Sequence, residues 1–429
     1  MDIFNKIVYP QSAEHLILLK YLLFLTLLVL LPYLSVLLGS TIFSVTNIIT
    51  GNKNKLKNKF AKDLIDIFTP NKVMAISLGI VPFISIILCL EQLLFGVSSH
   101  ITSGLIISLS TFVIGVITLY LYKYSFGRNE TTIENEINYN PSIILGVLAI
   151  VFILFSTYLL LGILQFIIDT RLWNAEGVLI NVLFSSTTFL YFLFFISISF
   201  VSTSTVILYK YFKNSKGVNN DLTEYSAFVK NFALKTGLLF AFMQPLLFVL
   251  VFISYPNNSL SFIYFIVGTV VLLLMLLLSI LFYDMKRSEN INLSGQSVFV
   301  ILLLFSLIIA KDIFAFDTST KVHFLKLDHS YLLHKKELLK KYESAEKATV
   351  SGESIFNNKC SACHRFDTRL VGPAYNKVLP KYEGKENELI DFILHPRKIN
   401  PKLPIMPAQG LKPKEAEAIA KYIMSKYKK

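Results

Sequence analysis

The residues with the clearest chemistry are two cysteines and a histidine near the C-terminus, in the run Cys360-Ser361-Ala362-Cys363-His364. This C-x-x-C-H spacing is the pattern of c-type haem attachment. Two thiols at this spacing add across the two vinyl groups on one porphyrin edge, and the adjacent imidazole then reaches the iron. A redox dithiol or half of a zinc site is the other interpretation, although the sequence holds no second cysteine pair to complete a zinc site. The remaining cysteine, Cys89, lies in an apolar run and is predicted to be a packing residue.

A second iron ligand has to come from the same part of the chain, where the candidates are Met406, His395 and Met424. Met406 lies in the segment 396–407, which contains four prolines. Prolines restrict the backbone and hold a sulfur toward iron at a low cost in ordering entropy. Met424 falls in an amphipathic helix predicted over 414–426, where core packing is its expected role. Met406 is therefore the predicted distal ligand, and His/Met ligation favours a high potential.

Residues 351–429 resemble the small bacterial class I cytochromes c, which shuttle electrons to terminal oxidases or nitrite reductases. The resemblance rests on Gly352 and Phe356, the C-x-x-C-H run, the stretch from Asp367 to Tyr375, the Pro404-Ile405-Met406-Pro407 loop, and Ala420 and Tyr422 in the closing helix. It implies a small all-α fold around one covalent haem c, with His364 as proximal and Met406 as distal iron ligand. It also implies that the carbonyl of Pro373 orients the proximal imidazole.

The rest of the chain is too apolar for a soluble domain. The 429 residues are 54% hydrophobic and 16% charged, with a mean hydropathy of +0.58, whereas soluble domains carry about 25% charged residues. Eight apolar runs approach or exceed the roughly 20 residues that a membrane-crossing helix needs: 16–45, 73–95, 101–122, 143–168, 178–209, 232–255, 262–282 and 298–316. The first is long enough to tilt, or to bend near Pro32. The predicted fold is all-α, a polytopic transmembrane bundle of about eight helices followed by a small class I cytochrome c domain.

The domain boundaries follow from where the charges lie. Residues 317–429 hold 22 of the 41 Lys and Arg side chains, so we predict a transmembrane domain over 1–316, a polar helical linker over 317–350 and a cytochrome domain over 351–429. Three histidines fall in the linker, namely His323, His329 and His334. They are interpreted either as a metal or second-haem site or as solvated linker side chains.

The orientation follows from the loops that collect basic residues, because short basic loops stay on the cytoplasmic side. These residues fall in alternate loops, as Lys53, Lys55, Lys57, Lys59, Lys62 and Lys72, then Lys123 and Arg128, then Lys210, Lys213 and Lys216, then Lys286 and Arg287. The N-terminus and the cytochrome domain are therefore predicted on the periplasmic side of a bacterial inner membrane. No cleavable signal peptide is predicted, because the first span is too long for one.

Polar groups inside the apolar runs are functional candidates by default. Those that stand out are Glu91, Gln92, Gln165 and Gln244, and His15, His100 and Asp169 fall at the same outer level as Glu91. The start of the chain resembles the catalytic subunit of cytochrome bd quinol oxidases, through His15 at the opening of the first helix and the run from Leu90 to Gly96. That resemblance implies a b-type haem at His15, but the family's long quinol-binding loop and its Trp/Gly/Arg signature are missing. A quinone site at a Gln or Glu side chain, such as Glu91, without a b haem is an equal alternative.

Three functions remain open at this level. The leading one is a membrane-integral electron-transfer protein of a respiratory chain, with one covalent haem c on the periplasmic side. The second is an enzyme, a quinol-oxidising or cytochrome bd-like oxidoreductase subunit with b haem or quinone near His15 and Glu91. The third is a transporter or scaffold with an attached haem sensor.

The charge of the chain bears on its partners. Residues 351–429 carry 15 Lys and Arg against 8 Asp and Glu, a net charge of +7. This charge favours either solubility or docking to an acidic face of a redox partner, at a rate that falls as salt rises. Nucleic acid is not an expected partner, despite the formal charge of +13, because basic loops of a lipid-embedded chain reflect its topology.

Overall fold

The computed structural model describes residues 11–51, 54–97, 100–129, 140–173, 178–212, 224–288, 291–349, 351–401 and 403–427. Within these ranges the chain forms helices and loops and no strands. It divides into two compact units, Met1–Tyr331 and Leu332–Lys429. The larger unit is called the membrane body below, and the smaller one the cytochrome unit.

The described helices up to residue 349 are, in chain order, α1 (Ala13–Gly51), α2 (Lys55–Phe68), α3 (Lys72–Leu93), α4 (His100–Asn129), α5 (Asn140–Phe166), α6 (Val178–Leu183), α7 (Ser186–Phe212), α8 (Glu224–Ile253), α9 (Phe262–Arg287) and α10 (Ser294–Thr349). All except α2 and α6 are long and apolar enough to cross a membrane. The predicted all-α fold with eight spans is therefore confirmed. The first span is one helix that contains Pro32.

The prediction that the fifth apolar run, 178–209, forms a single spanning helix was wrong. Residues 178–209 form two helices, the short α6 and the spanning α7, which begins at Ser186. The hydroxyl of Ser185 accepts a hydrogen bond from the backbone N–H of Thr188 at 3.2 Å. A serine that satisfies a free N–H in this way starts a helix, and hydropathy alone does not detect such a cap.

The first basic loop also contains a helix. In α2 the side chain of Asn54 caps the backbone N–H groups of Leu56 and Lys57, and one face of the helix is buried through Phe60 and Leu64. The hydroxyl of Ser44 on α1 donates to the carbonyl of residue 61 at 2.7 Å. The lysines of α2 are thereby fixed at one end of the membrane body.

The basic residues of α2 share this end with the last turns of α4, α7 and α9. Lys123 at the end of α4 lies 3.3 Å from Asp66 of α2, and α9 ends with Lys286 and Arg287. We call this the lysine-rich end. The opposite end is marked by the hydrogen bond from Asn258 to the Thr170 hydroxyl and holds the first turns of α1.

The last spanning helix continues far beyond the predicted span 298–316. Asp317 pairs with Lys20 of α1, and Asp328 accepts a hydrogen bond from the backbone N–H of Ala13 at 2.9 Å. The first half of the segment predicted as a linker thus packs against α1 as part of the membrane body. The three-domain division itself stays a prediction.

The histidines of this segment do not behave alike. His323 is half-buried, its Nε2 lies 3.1 Å from the carbonyl of Leu93, and its ring packs edge-on against Trp173 at 5.0 Å. Its interpretation as a solvated linker residue is therefore wrong, because α10 continues alongside α3. His329 is exposed. Among the described residues there is no group of three or more His, Cys, Asp or Glu side chains that could hold a metal ion.

Beyond the end of α10, the described part of the cytochrome unit consists of short helices around a small core. They are α11 (Gly352–Ile355), which continues through a π-turn (Phe356–Cys360), α12 (Tyr375–Val378), α13 (Glu386–Leu394) and α14 (Pro413–Tyr427). The core contains Ile355, Phe356, Leu379, Leu389, Ile393, Ile419, Ile423 and Met424. The first and last helices cross so closely that a Cβ at Gly352 would lie 2.1 Å from the carbonyl oxygen of Ala418. A glycine is therefore required at this crossing.

Candidate haem site

The turn that follows α11 places both thiols and the imidazole together. The backbone N–H groups of Cys363 and His364 donate to the carbonyl of Cys360 at 3.1 and 2.9 Å. The following loop returns to this turn, because the N–H of Gly372 donates to the carbonyl of Cys363 at 2.9 Å. The C-x-x-C-H run is thereby a closed, hydrogen-bonded unit rather than a free loop.

The imidazole of His364 is held in one orientation. Its Nδ1 lies 3.3 Å from the carbonyl oxygen of Pro373, so Nδ1 donates a hydrogen bond to that oxygen and the lone pair of Nε2 remains available to a metal. The ring of Tyr375 stacks on it at 4.9 Å with an interplanar angle of 5°. A Cβ at Gly372 would lie 2.2 Å from the ring. The glycine, the proline carbonyl and the tyrosine therefore fix the ring on three sides.

Burial affects the protonation of these groups. The pKa of His364 is lowered, mainly by burial, while the Pro373 carbonyl opposes that shift. The lowered pKa keeps the imidazole neutral, which is the form that binds iron. Burial raises the pKa of the Cys360 thiol, and the nearby Lys359 partly offsets this. The cysteine is thus a protonated thiol at neutral pH.

The predicted attachment and ligand residues converge on one cavity. It has a volume of about 310 Å³, within the range of small ligand sites, and Cys360, Cys363, His364 and Met406 all line it. All three thiols of the chain are free. The remaining wall is mostly apolar, from residues such as Leu379, Leu389, Ile419 and Ile423. Thiols, an imidazole and a thioether around an apolar slot are the donor set that a covalently attached haem needs.

The alternative sulfur and nitrogen ligands lie elsewhere. Met424 is 3% exposed in the core of the cytochrome unit, which agrees with its expected role in packing. His395 is exposed at the end of α13 and does not line the cavity. Among the three candidates, only Met406 contacts the same space as His364.

The cavity has a basic rim. The residues that line it include Lys359, Lys381, Arg397 and Lys398, all of them exposed. Arg397 lies 3.4 Å from Asp391, and Lys359 donates to the backbone carbonyl of Gln409. Part of the excess positive charge predicted from composition therefore lies around the cavity.

Comparison with known proteins identifies this unit. The sequence model described as Cytochrome c matches residues 349–426. Cytochrome c-551 of Pseudomonas denitrificans is 36% identical over 81 residues, which are 96% of that protein and 18% of this chain. Cytochrome c-551 of Pseudomonas aeruginosa is 38% identical over 78 residues, 74% of that protein and 17% of this chain. The chain belongs to the cytochrome c family.

The family fixes the cofactor and the general activity. This cytochrome c carries covalently bound haem c and transfers electrons. The predicted class I cytochrome domain and its haem c are confirmed, and eight apolar helices make the chain a multi-pass membrane protein. The roles of individual ligands stay predictions, although the structure brings Cys360, Cys363, His364 and Met406 to one cavity.

The predicted site in the membrane body looks different. The Nε2 of His15 lies 3.1 Å from the side-chain oxygen of Gln92, whereas Glu91 accepts a hydrogen bond from the hydroxyl of Thr102 on α4. Adjacent helix residues project about 100° apart, so His15 and Glu91 contact different neighbours. A b haem or quinone at these two residues stays a prediction.

A charged cluster in the last span was not among the residues predicted from the sequence. Asp312 accepts hydrogen bonds from the hydroxyls of Tyr191 and Tyr255 and from Lys311, and Gln165 donates to the Tyr255 hydroxyl at 3.0 Å. Lys311 has only 1% of its side chain exposed. Two adjacent charges within the apolar run 298–316 were the available signal, because such groups are rare inside spans.

Proposed function

We propose that this cytochrome c is a membrane-integral electron carrier of a respiratory chain, with its haem domain on the periplasmic side of a bacterial inner membrane. The observation that carries the proposal is the single cavity lined by two free thiols, an oriented imidazole and a thioether, in a chain with eight apolar helices. Haem c, when bound, supplies a one-electron iron couple. A carrier needs no substrate pocket beyond this cavity.

Each residue of the cavity has a proposed task. Cys360 and Cys363 would hold the porphyrin through thioether bonds, His364 would bind the iron through Nε2, and Met406 would bind it through its sulfur. The carbonyl of Pro373 keeps the imidazole aligned and makes it more basic. The apolar wall excludes water, which favours a high reduction potential.

The basic rim supports a proposed partner. Four exposed basic residues surround the cavity, Lys359, Lys381, Arg397 and Lys398, so the partner is expected to present an acidic face. Attraction between these surfaces speeds encounter and fades as salt screens it. The rate of electron transfer to the partner is therefore expected to fall between low and high ionic strength.

The side of the membrane is a separate part of the proposal. Lys123 and α2 contact each other at the lysine-rich end, and basic loops mark the cytoplasmic side. Protease added to intact spheroplasts is expected to release a haem-containing fragment by cutting in the exposed segment 335–342. A fragment released only after the cells are broken would contradict the periplasmic location.

The function is tested in native membranes by following the haem c absorption after a respiratory substrate is added. We expect reduction of the haem by NADH or succinate and reoxidation by the terminal acceptor, with slower reoxidation at high salt. Haem that dithionite reduces but respiratory substrates never reduce would contradict a respiratory role. Direct reduction of the purified protein by a quinol would instead favour the quinol-oxidising alternative.

A further inference from the structure

Among the described residues of the membrane body are three buried polar side chains that have no hydrogen-bond partner. They are Gln244, through both amide atoms, and the hydroxyls of Ser202 and Thr205, and each of the three is at most 1% exposed. An unpaired polar group is unfavourable in a protein interior and more so in hydrocarbon, where no solvent replaces the partner. Such groups are normally satisfied by buried water.

Two of these groups share one face of α7 with the charged cluster. Ser202 and Thr205 follow Tyr191 by 11 and 14 residues, which at 100° per residue places both within about 40° of its direction. Tyr191 is the residue of α7 that donates to Asp312. A polar face therefore extends about 21 Å along α7 from the Asp312 cluster toward the lysine-rich end.

The polar face of α7 is interrupted between Tyr191 and Ser202, and this interruption lies at the depth of Gln244 in the membrane body. The hydroxyl of Ser197 donates to the carbonyl of Phe240 at 3.2 Å, and the rings of Phe194 and Phe248 are 5.8 Å apart. Because α7 and α8 run in opposite directions, these two contacts place Gln244 between Phe194 and Ser197 in depth. Gln244 therefore lies at the depth where the polar face of α7 is interrupted.

A second cluster of polar side chains lies at the lysine-rich end of α7. The hydroxyl of Tyr225 on α8 donates to Asp63 of α2, and Tyr211 near the end of α7 interacts with both residues. The hydroxyls of Ser204 and Thr236 are 3.0 Å apart, and Ser204 lies about two turns along α7 from Tyr211. Ionisable groups thus lie at both ends of this polar face, and neutral polar groups lie between them.

We propose that α7 carries a proton path of buried side chains and bound water across the membrane body. The path begins at Asp63 and Tyr225, passes Thr205, Ser202 and Gln244, and ends at Tyr191, Asp312 and Lys311. Its substrate is the proton: a hydronium ion at the Asp63 end becomes water as it gives up a proton, which is then bound by a carboxylate oxygen of Asp312. Water at the opposite end of the membrane body accepts this proton from Asp312 and becomes hydronium, which restores the carboxylate. No electron moves in this step. The ammonium of Lys311 and the hydroxyl of Tyr255 hold the carboxylate in position.

The path is tested with the full-length haem-containing protein in vesicles of phosphatidylcholine and phosphatidylglycerol that contain a pH-sensitive dye. A potassium gradient with valinomycin drives proton flux, which is measured with the haem oxidised by ferricyanide and again with it reduced by ascorbate. We expect flux about tenfold above that of protein-free vesicles in at least one state. Gln244→Leu should lower it about tenfold, which corresponds to a modest rise in barrier.

Two further variants separate the path from general damage. Ser202→Ala should lower the flux, whereas Ser110→Ala, the same change at an exposed serine bonded to its own helix, should leave it unchanged. Asp63→Asn, at the start of the proposed path, should lower the proton flux while haem content and helicity stay normal. Wild-type flux equal to that of protein-free vesicles in both redox states would overturn the proposal. Unchanged flux in folded Gln244→Leu and Asp63→Asn would do the same.

Discussion

The cytochrome unit and the membrane body use their reactive side chains in opposite ways. In the cytochrome unit, Cys360, His364 and Met406 face one cavity and keep atoms available for a ligand. In the membrane body, His15 and Asp312 are bound to side chains of neighbouring helices. A cofactor site is recognised by groups that converge and remain available, whereas paired groups join helices. The exceptions in the body, chiefly Gln244, are therefore informative.

The largest expected effect comes from removing an attachment thiol. Cys363→Ala should leave at most one thioether bond and reduce haem retention on a denaturing gel stained for haem. Cys89→Ala, in the membrane body, is the matched control and should retain haem fully, because Cys89 is buried in packing contacts. Haem that is still doubly linked in Cys363→Ala would contradict the assignment of Cys363 as an attachment thiol, and with it the distinction between the two regions.

The next effect concerns the distal ligand. Met406→Ala should abolish the weak absorption of the sulfur–iron bond near the red end of the oxidised spectrum. Met424→Leu should keep that band, because Met424 packs in the core and leucine has a similar volume. Persistence of the band in Met406→Ala would mean that another sulfur binds the iron.

The third effect lies in the membrane body and should not reach the haem. Lys311→Met removes the cation from Asp312, whose side chain is 19% exposed, and breaking a largely buried pair costs up to about 3–5 kcal/mol. Lys20→Met removes a lysine from the more exposed pair with Asp317 and should cost less than about 1 kcal/mol. Thermal unfolding in detergent measures both. Equal losses would show that the buried cluster adds no more than a surface pair.

The smallest effect tests the orientation of the imidazole. Gly372→Ala places a Cβ 2.2 Å from the His364 ring, so the ring must shift, at a cost of about 1–3 kcal/mol, and the haem spectrum should change. Gly384→Ala meets open space but has a φ of +72°, so it should cost about 1 kcal/mol through the backbone alone. Denaturant unfolding monitored by haem absorption separates the two. An unaltered spectrum in Gly372→Ala would argue against a tightly held ring.

The contrast also explains what the sequence could predict. The C-x-x-C-H run is local, and the spans follow from hydropathy, so the haem unit and the eight helices were predictable. The cluster around Asp312 was not, because Tyr191 comes from α7 and Tyr255 from the loop after α8, 121 and 57 residues away. His323 was misread for a similar reason. Hydropathy marks where a span ends but not whether its helix continues beside a neighbour such as α3.

The division of tasks between the two regions is tested most directly by counting and extracting haem from the purified full-length protein. The pyridine haemochrome spectrum should show one haem c per chain, and acidified acetone should leave all of it on the protein. That result would match a cytochrome unit that holds the haem and a membrane body whose histidines join helices. Haem b extracted in a fixed ratio to the chain, or no haem retained on the protein, would contradict it.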